Sequence, residues 1–189
     1  RSHAYLKKKQ ILPHIAHVDR FNNLLIPITT IEGKLMNIQT IYANGNKRFK
    51  AGARLKGLGA LIGKANNAKQ CLVCEGFSTA CSLREATGYP VLIAFTANNI
   101  NAACSAFRKI NPNTEMIICA DNDHQTERKI GVNVGLEKAT DTANKLNATL
   151  LWPQFEGDNH GTDFNDVHCQ QGIEVLRELL ETNLNGGKL

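Results

Sequence analysis

The chain has 189 residues, 42% hydrophobic and 21% charged, which suits an ordinary globular protein able to bury a core without staples. No apolar run approaches the roughly eighteen residues of a membrane span, and the formal net charge of +5 is compatible with a polyanionic partner without requiring one. Of the six cysteines, Cys71, Cys74, Cys104 and Cys119 lie in or beside apolar or helical runs, so free thiols of a reducing cytosol are expected, not a disulfide frame.

The chain starts on a basic stretch, Arg1 to Lys9, with no apolar core of a signal peptide. There is no initiating Met, which suits a piece of a longer protein. A first helix is expected here, ended by Pro13. Asn23 to Ile31 reads as an apolar strand whose Pro27 implies an edge or a bulge. Glu32-Gly33-Lys34 is a turn, and Leu35 to Tyr42 alternates apolar and polar residues as a second strand. Asn44-Gly45-Asn46 is a strong hairpin turn, returning through Lys47 to Lys50. A small basic α+β subdomain over residues 1–66 is therefore expected.

From Lys69 the pattern changes to alternation. Strands are expected at Cys71–Cys74, Val91–Phe95, Glu115–Ala120 and Ala148–Trp152. Helices are expected at Ser78–Thr87, closed by Gly88, at Asn98–Arg108 and at Val134–Leu146. Such alternation predicts an α/β domain over residues 67–189, a parallel four-stranded sheet with helices on both faces and a C-terminal helical tail. Ile173, Leu176 and Leu180 in that tail have core-packing spacing. Cys71-x-x-Cys74 has the spacing of a zinc half-site, but no second pair follows and a strand would turn the two thiols to opposite faces. Gly57 to Lys64 resembles a phosphate loop, with wrong glycine spacing and Ala65 where a hydroxyl should bind metal.

The acids carry the chemistry. Glu75 follows the first strand of the alternating region, and Asp121-Asn122-Asp123 follows the third. Both are carboxyl ends of parallel strands, where sites form in such sheets. Either motif alone is commonly a helix cap or a solvated turn. Together they make an oxygen donor set of the kind hard divalent cations take when they bind phosphates.

Leu72-Val73-Cys74-Glu75-Gly76, followed by Ile117 to Asp123, resembles the Toprim domain of bacterial primases, type IA and II topoisomerases and some nucleases. The resemblance implies that Glu75, Asp121 and Asp123 gather Mg²⁺ or Mn²⁺, with Glu75 also active in acid–base chemistry. Three further stretches are similar to primases of plasmids, phages and integrated elements. Gly161 to Asp166 resembles their acidic motif after the fourth strand, which implies metal or nucleotide contacts for Asp163 and Asp166; the alternative is a plain helix cap. Leu24 to Phe49 resembles the hairpin region before the Toprim domain. Arg54-Leu55-Lys56-Gly57 through Lys64 resembles the basic motif, which implies that Arg48, Lys50, Arg54, Lys56 and Lys64 hold template phosphates or nucleotide.

The resemblance spans residues 5–170 and has departures. Thr79 stands where replicative primases carry an aspartate, the acids at 163 and 166 are differently spaced, and His124 to Ile130 push the expected motif glycine out to Gly131. A zinc-binding domain usually precedes this core, and a replicative helicase is a further partner the family implies. The resemblance thus implies a DNA primase catalytic core, a nucleotidyltransferase making short RNA primers from ribonucleoside triphosphates on single-stranded DNA. Tyr5, Tyr42 and Tyr89 lack the context of a topoisomerase nucleophile, and no ATPase motif supports a coupled nuclease. The alternative of another class is a catalytically idle module that binds single-stranded DNA.

Overall fold

The computed structural model describes residues 3–124, 131–155 and 159–185. No helix among them is long and apolar enough to cross a membrane. The short helix α1, Ala4–Lys9, is capped by the His3 ring, which accepts a hydrogen bond from the Tyr5 amide. It stops at Gln10, in left-handed backbone, before Pro13 is reached, and it buries Tyr5 and Leu6.

Four antiparallel strands follow: β1 His17–Val18, β2 Leu24–Thr29, β3 Leu35–Ile41 and β4 Lys47–Phe49, in that spatial order. Leu24, Ile26 and Ile28 alternate inward along β2 as the period of two requires. Pro27 sits in an interior strand of the sheet, but on a locally open flank, and β2 carries a bulge or irregularity between Ile28 and Thr29. The proline is tolerated because β1 pairs no further than Leu25, leaving that side of Pro27 without a strand.

The second sheet contains β5 Ala60–Ile62, β6 Gln70–Cys74, β7 Val91–Ile93, β8 Glu115–Cys119 and β9 Thr149–Leu151, ordered β5-β7-β6-β8-β9. The last four in sequence, β6 to β9, are mutually parallel, as expected; β5 adds an antiparallel edge from within residues 1–66. The stretch that resembles a phosphate loop thus supplies an edge strand. The two sheets meet through Thr29 and Gly59, whose amides and carbonyls exchange bonds of 2.7 and 3.0 Å. A Cβ at residue 59 would lie 2.8 Å from the Ile93 carbonyl oxygen, so the junction requires glycine.

Helices α2 Phe77–Thr87, α3 Ile100–Ile110, α4 Val134–Leu146, α5 Phe164–Gln171 and α6 Ile173–Asn185 cover this sheet, with a 3₁₀ turn at Ala97–Asn99 before α3. Gly88 closes α2 in left-handed backbone. Leu72 and Cys74 pack with Phe77, Leu83, Phe164, Leu176 and Leu180 on one face; Cys71 and Val73 pack with Cys104, Phe107, Ala139 and Ala143 on the other. The two thiols of the Cys-x-x-Cys pair therefore do point to opposite faces, and burial pushes the Cys71 thiol up to about 12.

Candidate active site

The carboxyl ends of β6 and β8 lie side by side because these strands pair in parallel, Leu72 against Ile117 and Val73 against Ile118. Glu75 leaves β6 directly, and Asp121 follows β8 after one buried alanine. Both carboxylates are half-buried. Burial raises the Glu75 carboxyl above the ordinary range, tempered by the Ala97 backbone amide and the Lys138 ammonium. Burial raises Asp121 well above it, and the negative charges of Asp163 and Glu75 raise it further, while Lys47 pulls the other way. Asp121 Oδ1 is buried without a hydrogen-bond partner among the described residues. Asp123 is half-buried on the same turn.

The turn is held by its middle residue. Asn122 is 8% exposed and donates from Nδ2 to the Pro153 carbonyl at 2.9 Å. Its Oδ1 accepts from Asn133 Nδ2 at 3.1 Å, and its backbone amide donates to the Thr162 carbonyl at 2.7 Å. Asn133 in turn caps α4 by accepting from the Leu136 amide. Asn122 thus ties β8 to the segment after β9 and to the start of α4. Its place between two aspartates is the only signal of this role in the sequence.

The glycine expected at Gly131 is elsewhere. Gly131 occupies a left-handed turn with open space around its Cβ position. It is Gly135, in the first turn of α4, that faces the acids: a Cβ there would be 3.6 Å from Glu75 Oε1 and 3.8 Å from the Asp121 carbonyl oxygen. The insertion therefore extends four residues further than the spacing suggests.

Asp163 and Asp166 lie close enough to act electrostatically on Asp121, but each is otherwise engaged. Asp163 caps α5, with Oδ1 accepting the Asp166 amide at 2.9 Å and Oδ2 accepting the Thr79 hydroxyl at 3.0 Å. Asp166 accepts from the Thr162 amide at 2.9 Å and pairs with Lys9 at 3.4 Å. Burial and Asp166 raise the Asp163 carboxyl. Lys9 is held protonated by Asp163 and Asp166 against the opposing cost of its own burial, which is the largest influence on it.

A hard divalent cation suits the first group: carboxylate oxygens only, with the Glu75 charge bearing on Asp121 and one Asp121 oxygen buried and without a hydrogen-bond partner among the described residues. Among the described residues, however, no three His, Cys, Asp or Glu side chains already converge on one point, so such an ion would draw the carboxylates inward.

The basic residues divide by strand register. On β4, Lys47 and Phe49 share a face. Lys47 lies 6.0 Å above the Tyr5 ring, and Phe49 meets Phe95 edge-on at 6.2 Å. Parity turns Arg48 to the opposite face. The charge that bears on Asp121 is thus Lys47, which is absent from the set expected to bind phosphate. Arg54 and Lys56 are exposed on a segment pinned near the end of β7. Asn37 Nδ2 donates to the Ala53 and Arg54 carbonyls, and Asn99 links Gly57, Leu58 and Ala94. Lys50 is exposed one residue past β4. Lys64 leaves β5 after Ile62, which pairs with Val91 at the start of β7, so it lies at the end of the sheet away from the acids.

The model of the Toprim domain matches residues 70–174, more than half of the sequence. The chain belongs to the Toprim domain family. Two curated relatives from Escherichia coli, both named DNA primase TraC, are 30% identical over 133 residues, 69% of this chain. The chain spans only 12% and 9% of their lengths. Among solved structures, the primase fragment of the bacteriophage T7 primase-helicase is similar with a TM-score of 0.60 and 16% identity, over 92% of this chain and 69% of that one. The RNA polymerase domain of Mycobacterium tuberculosis primase DnaG is similar with a TM-score of 0.57 and 15% identity, over 95% and 62%. At these identities the likeness is one of fold, and it reaches beyond the Toprim match into the antiparallel sheet.

Proposed function

We propose that this chain is the catalytic portion of a DNA primase, joining ribonucleotides on single-stranded DNA. The observation that carries the reading is the buried oxygen of Asp121, without a hydrogen-bond partner among the described residues, within electrostatic reach of Glu75 and of Lys47 from the basic hairpin. The support from relatives is the primase name of the two from Escherichia coli and the solved DnaG primase catalytic domain described as bound to single-stranded DNA.

Glu75, Asp121 and Asp123 would hold Mg²⁺ or Mn²⁺, which when bound neutralises phosphate charge and lowers the barrier to attack by a 3′-hydroxyl. The remaining roles fall to the protein. Glu75, at the carboxyl end of β6, takes the proton of the attacking hydroxyl. Lys47 holds the triphosphate over the carboxylates, and Asn122 keeps the two aspartates in register. Lys50, Arg54 and Lys56 bind template phosphates without reading sequence. Arg48 serves a more distant stretch of the strand, and Lys64, beyond β5 at the end of the sheet away from the acids, is left out of the nucleotide-binding set in this reading. Residues 1–66 act with residues 67–189 as one active site.

The test is primer synthesis on single-stranded DNA with labelled ribonucleotides and Mg²⁺ or Mn²⁺, native chain against Glu75→Gln, Asp121→Asn and Asp123→Asn. Template-dependent labelled oligomers from the native chain alone are expected. Degradation of the DNA would identify a nuclease, and DNA binding unchanged by all three substitutions with no synthesis would identify an idle binding module.

A further inference from the structure

The four oxygens of Asp163 and Asp166 are all spoken for. Asp163 Oδ1 accepts the Asp166 amide and its Oδ2 the Thr79 hydroxyl. Asp166 Oδ2 accepts the Thr162 amide at 2.9 Å and its hydroxyl at 3.4 Å. The last oxygen, Asp166 Oδ1, faces the Lys9 ammonium at 3.4 Å, with both side chains only 25% exposed.

Lys9 is not a passing surface charge. Its backbone carbonyl accepts from Asn165 Nδ2 at 2.8 Å and from Cys169 Sγ at 3.4 Å, and the next residue, Gln10, donates from Nε2 to the Cys169 carbonyl at 3.3 Å. Asn165 is completely buried and also donates to Ser82 Oγ at 2.9 Å, which in turn bonds His168 Nδ1 at 2.9 Å. The end of α1 is thus fastened to α5 and through it to α2. An ammonium on a fastened backbone is a compact point charge delivered to one place.

We propose that Lys9 is a built-in cation that closes the Asp163/Asp166 pair to divalent metal, leaving Glu75, Asp121 and Asp123 as the one metal-binding group among the described residues. The last clause rests on the reading of those three residues given above; the role of Lys9 does not. A divalent ion at Asp166 would have to displace the ammonium and lie against it, a like-charge contact in a half-buried setting. Helix α1, outside the Toprim match, then belongs to the active site: it sets the charge beside the catalytic acids and the number of ions they take.

The experiment counts Mn²⁺ per chain by the free-ion electron paramagnetic resonance signal. The proteins are the native chain, Lys9→Met, Lys9→Arg, Asp166→Asn and Lys9→Met/Asp166→Asn, each also carrying Glu75→Gln/Asp121→Asn/Asp123→Asn, with circular dichroism to establish folding. Lys9→Met is expected to bind one more Mn²⁺ than native in both backgrounds, Lys9→Arg the native number, and the Lys9→Met/Asp166→Asn double variant the native number again. A folded Lys9→Met chain with no added ion overturns the proposal. So does a native chain that loses an ion on Asp166→Asn, a measurement that keeps Lys9 and decides the matter even should Lys9→Met fail to fold. A native chain whose count is unchanged by the triple substitution would remove the metal site at Glu75, Asp121 and Asp123, while the gain on Lys9→Met is still read separately.

Discussion

Glu75 and Asp121 leave neighbouring strand ends, whereas Asp163 and Asp166 open a helix, and the same side-chain type meets different hydrogen-bond partners at the two places. At the helix start every carboxylate oxygen has a donor: two backbone amides, two hydroxyls and an ammonium. At the strand ends burial raises both acids, the charges of Asp163 and Glu75 raise Asp121 further, and one oxygen of Asp121 has no hydrogen-bond partner among the described residues. A satisfied carboxylate contributes to the fold. An unsatisfied one is costly to the fold and is retained where something else binds it. The contrast separates chemistry from architecture within one acidic patch.

The largest effect should come from Asp121→Asn. Loss of primer synthesis by at least about a hundredfold, roughly 3 kcal/mol of barrier, is expected. Without metal the same variant should melt higher than native at neutral pH. The sign follows from linkage: the folded-state affinity of Asp121 for its proton is raised, so the folded protein is favoured below the ordinary carboxyl range and loses stability as pH rises through that range toward the raised value. Thermal melts from about pH 4 to 8 should therefore show native stability falling more steeply than that of Asp121→Asn. Mn²⁺ at about a hundred times its dissociation constant should restore about 2.7 kcal/mol to the native chain at neutral pH. A variant less stable than native at every pH would mean that Asp121 is satisfied after all.

At the other place the prediction reverses. Asp163→Ala removes the α5 cap and strands the Thr79 hydroxyl, which is 1% exposed. A destabilisation of about 1–2 kcal/mol in urea unfolding is expected, and Asp163→Asn, which can still cap, should lose less. Equal losses for the two variants would show that the charge matters there more than the cap.

Lys47 and Lys64 sharpen the same comparison on the basic side. Lys47→Met should lower priming about tenfold, one favourable charge contact or about 1.4 kcal/mol, with little change in melting temperature. Lys64→Met, at the far end of the sheet, should leave priming unchanged. Comparable losses from both would require a template path running the length of the sheet.

These contrasts also mark what is legible in the amino-acid pattern alone. The alternation of β6, α2, β7, α3, β8, α4 and β9 is legible because each buried strand and each helix has its own period, and Glu75 and Asp121 are legible because strand ends are where such sheets place ligands. The placement of Ala60–Ile62 as an antiparallel edge is not, since three residues carry no period and the pairing with Val91–Ile93 is set by tertiary contact. Pattern alone cannot prefer Lys47 to Arg48, because the choice depends on which face of β4 meets the second sheet, and a one-residue shift inverts it. Nor can it prefer Gly135 to Gly131, because loop length hides which glycine meets a carboxylate. Asn122 reads as a spacer; its role exists only once Pro153 and Asn133 are brought to it.

The smallest effect is expected at Lys9. Its pair with Asp166 is partly exposed and its hydrogen bond is long at 3.4 Å, so such a pair is worth about 0.2–1 kcal/mol, and less in salt. The backbone bonds from Asn165 and Cys169 to Lys9 do not depend on its side chain and should survive Lys9→Met. The substitution should therefore shift urea unfolding by under about 1 kcal/mol, with the difference shrinking further as salt is raised. A change in ion count at so small a structural cost would mean that the lysine is placed for the site and not for the fold. A loss of several kcal/mol would instead make it a structural residue and erase the distinction between the two acidic groups.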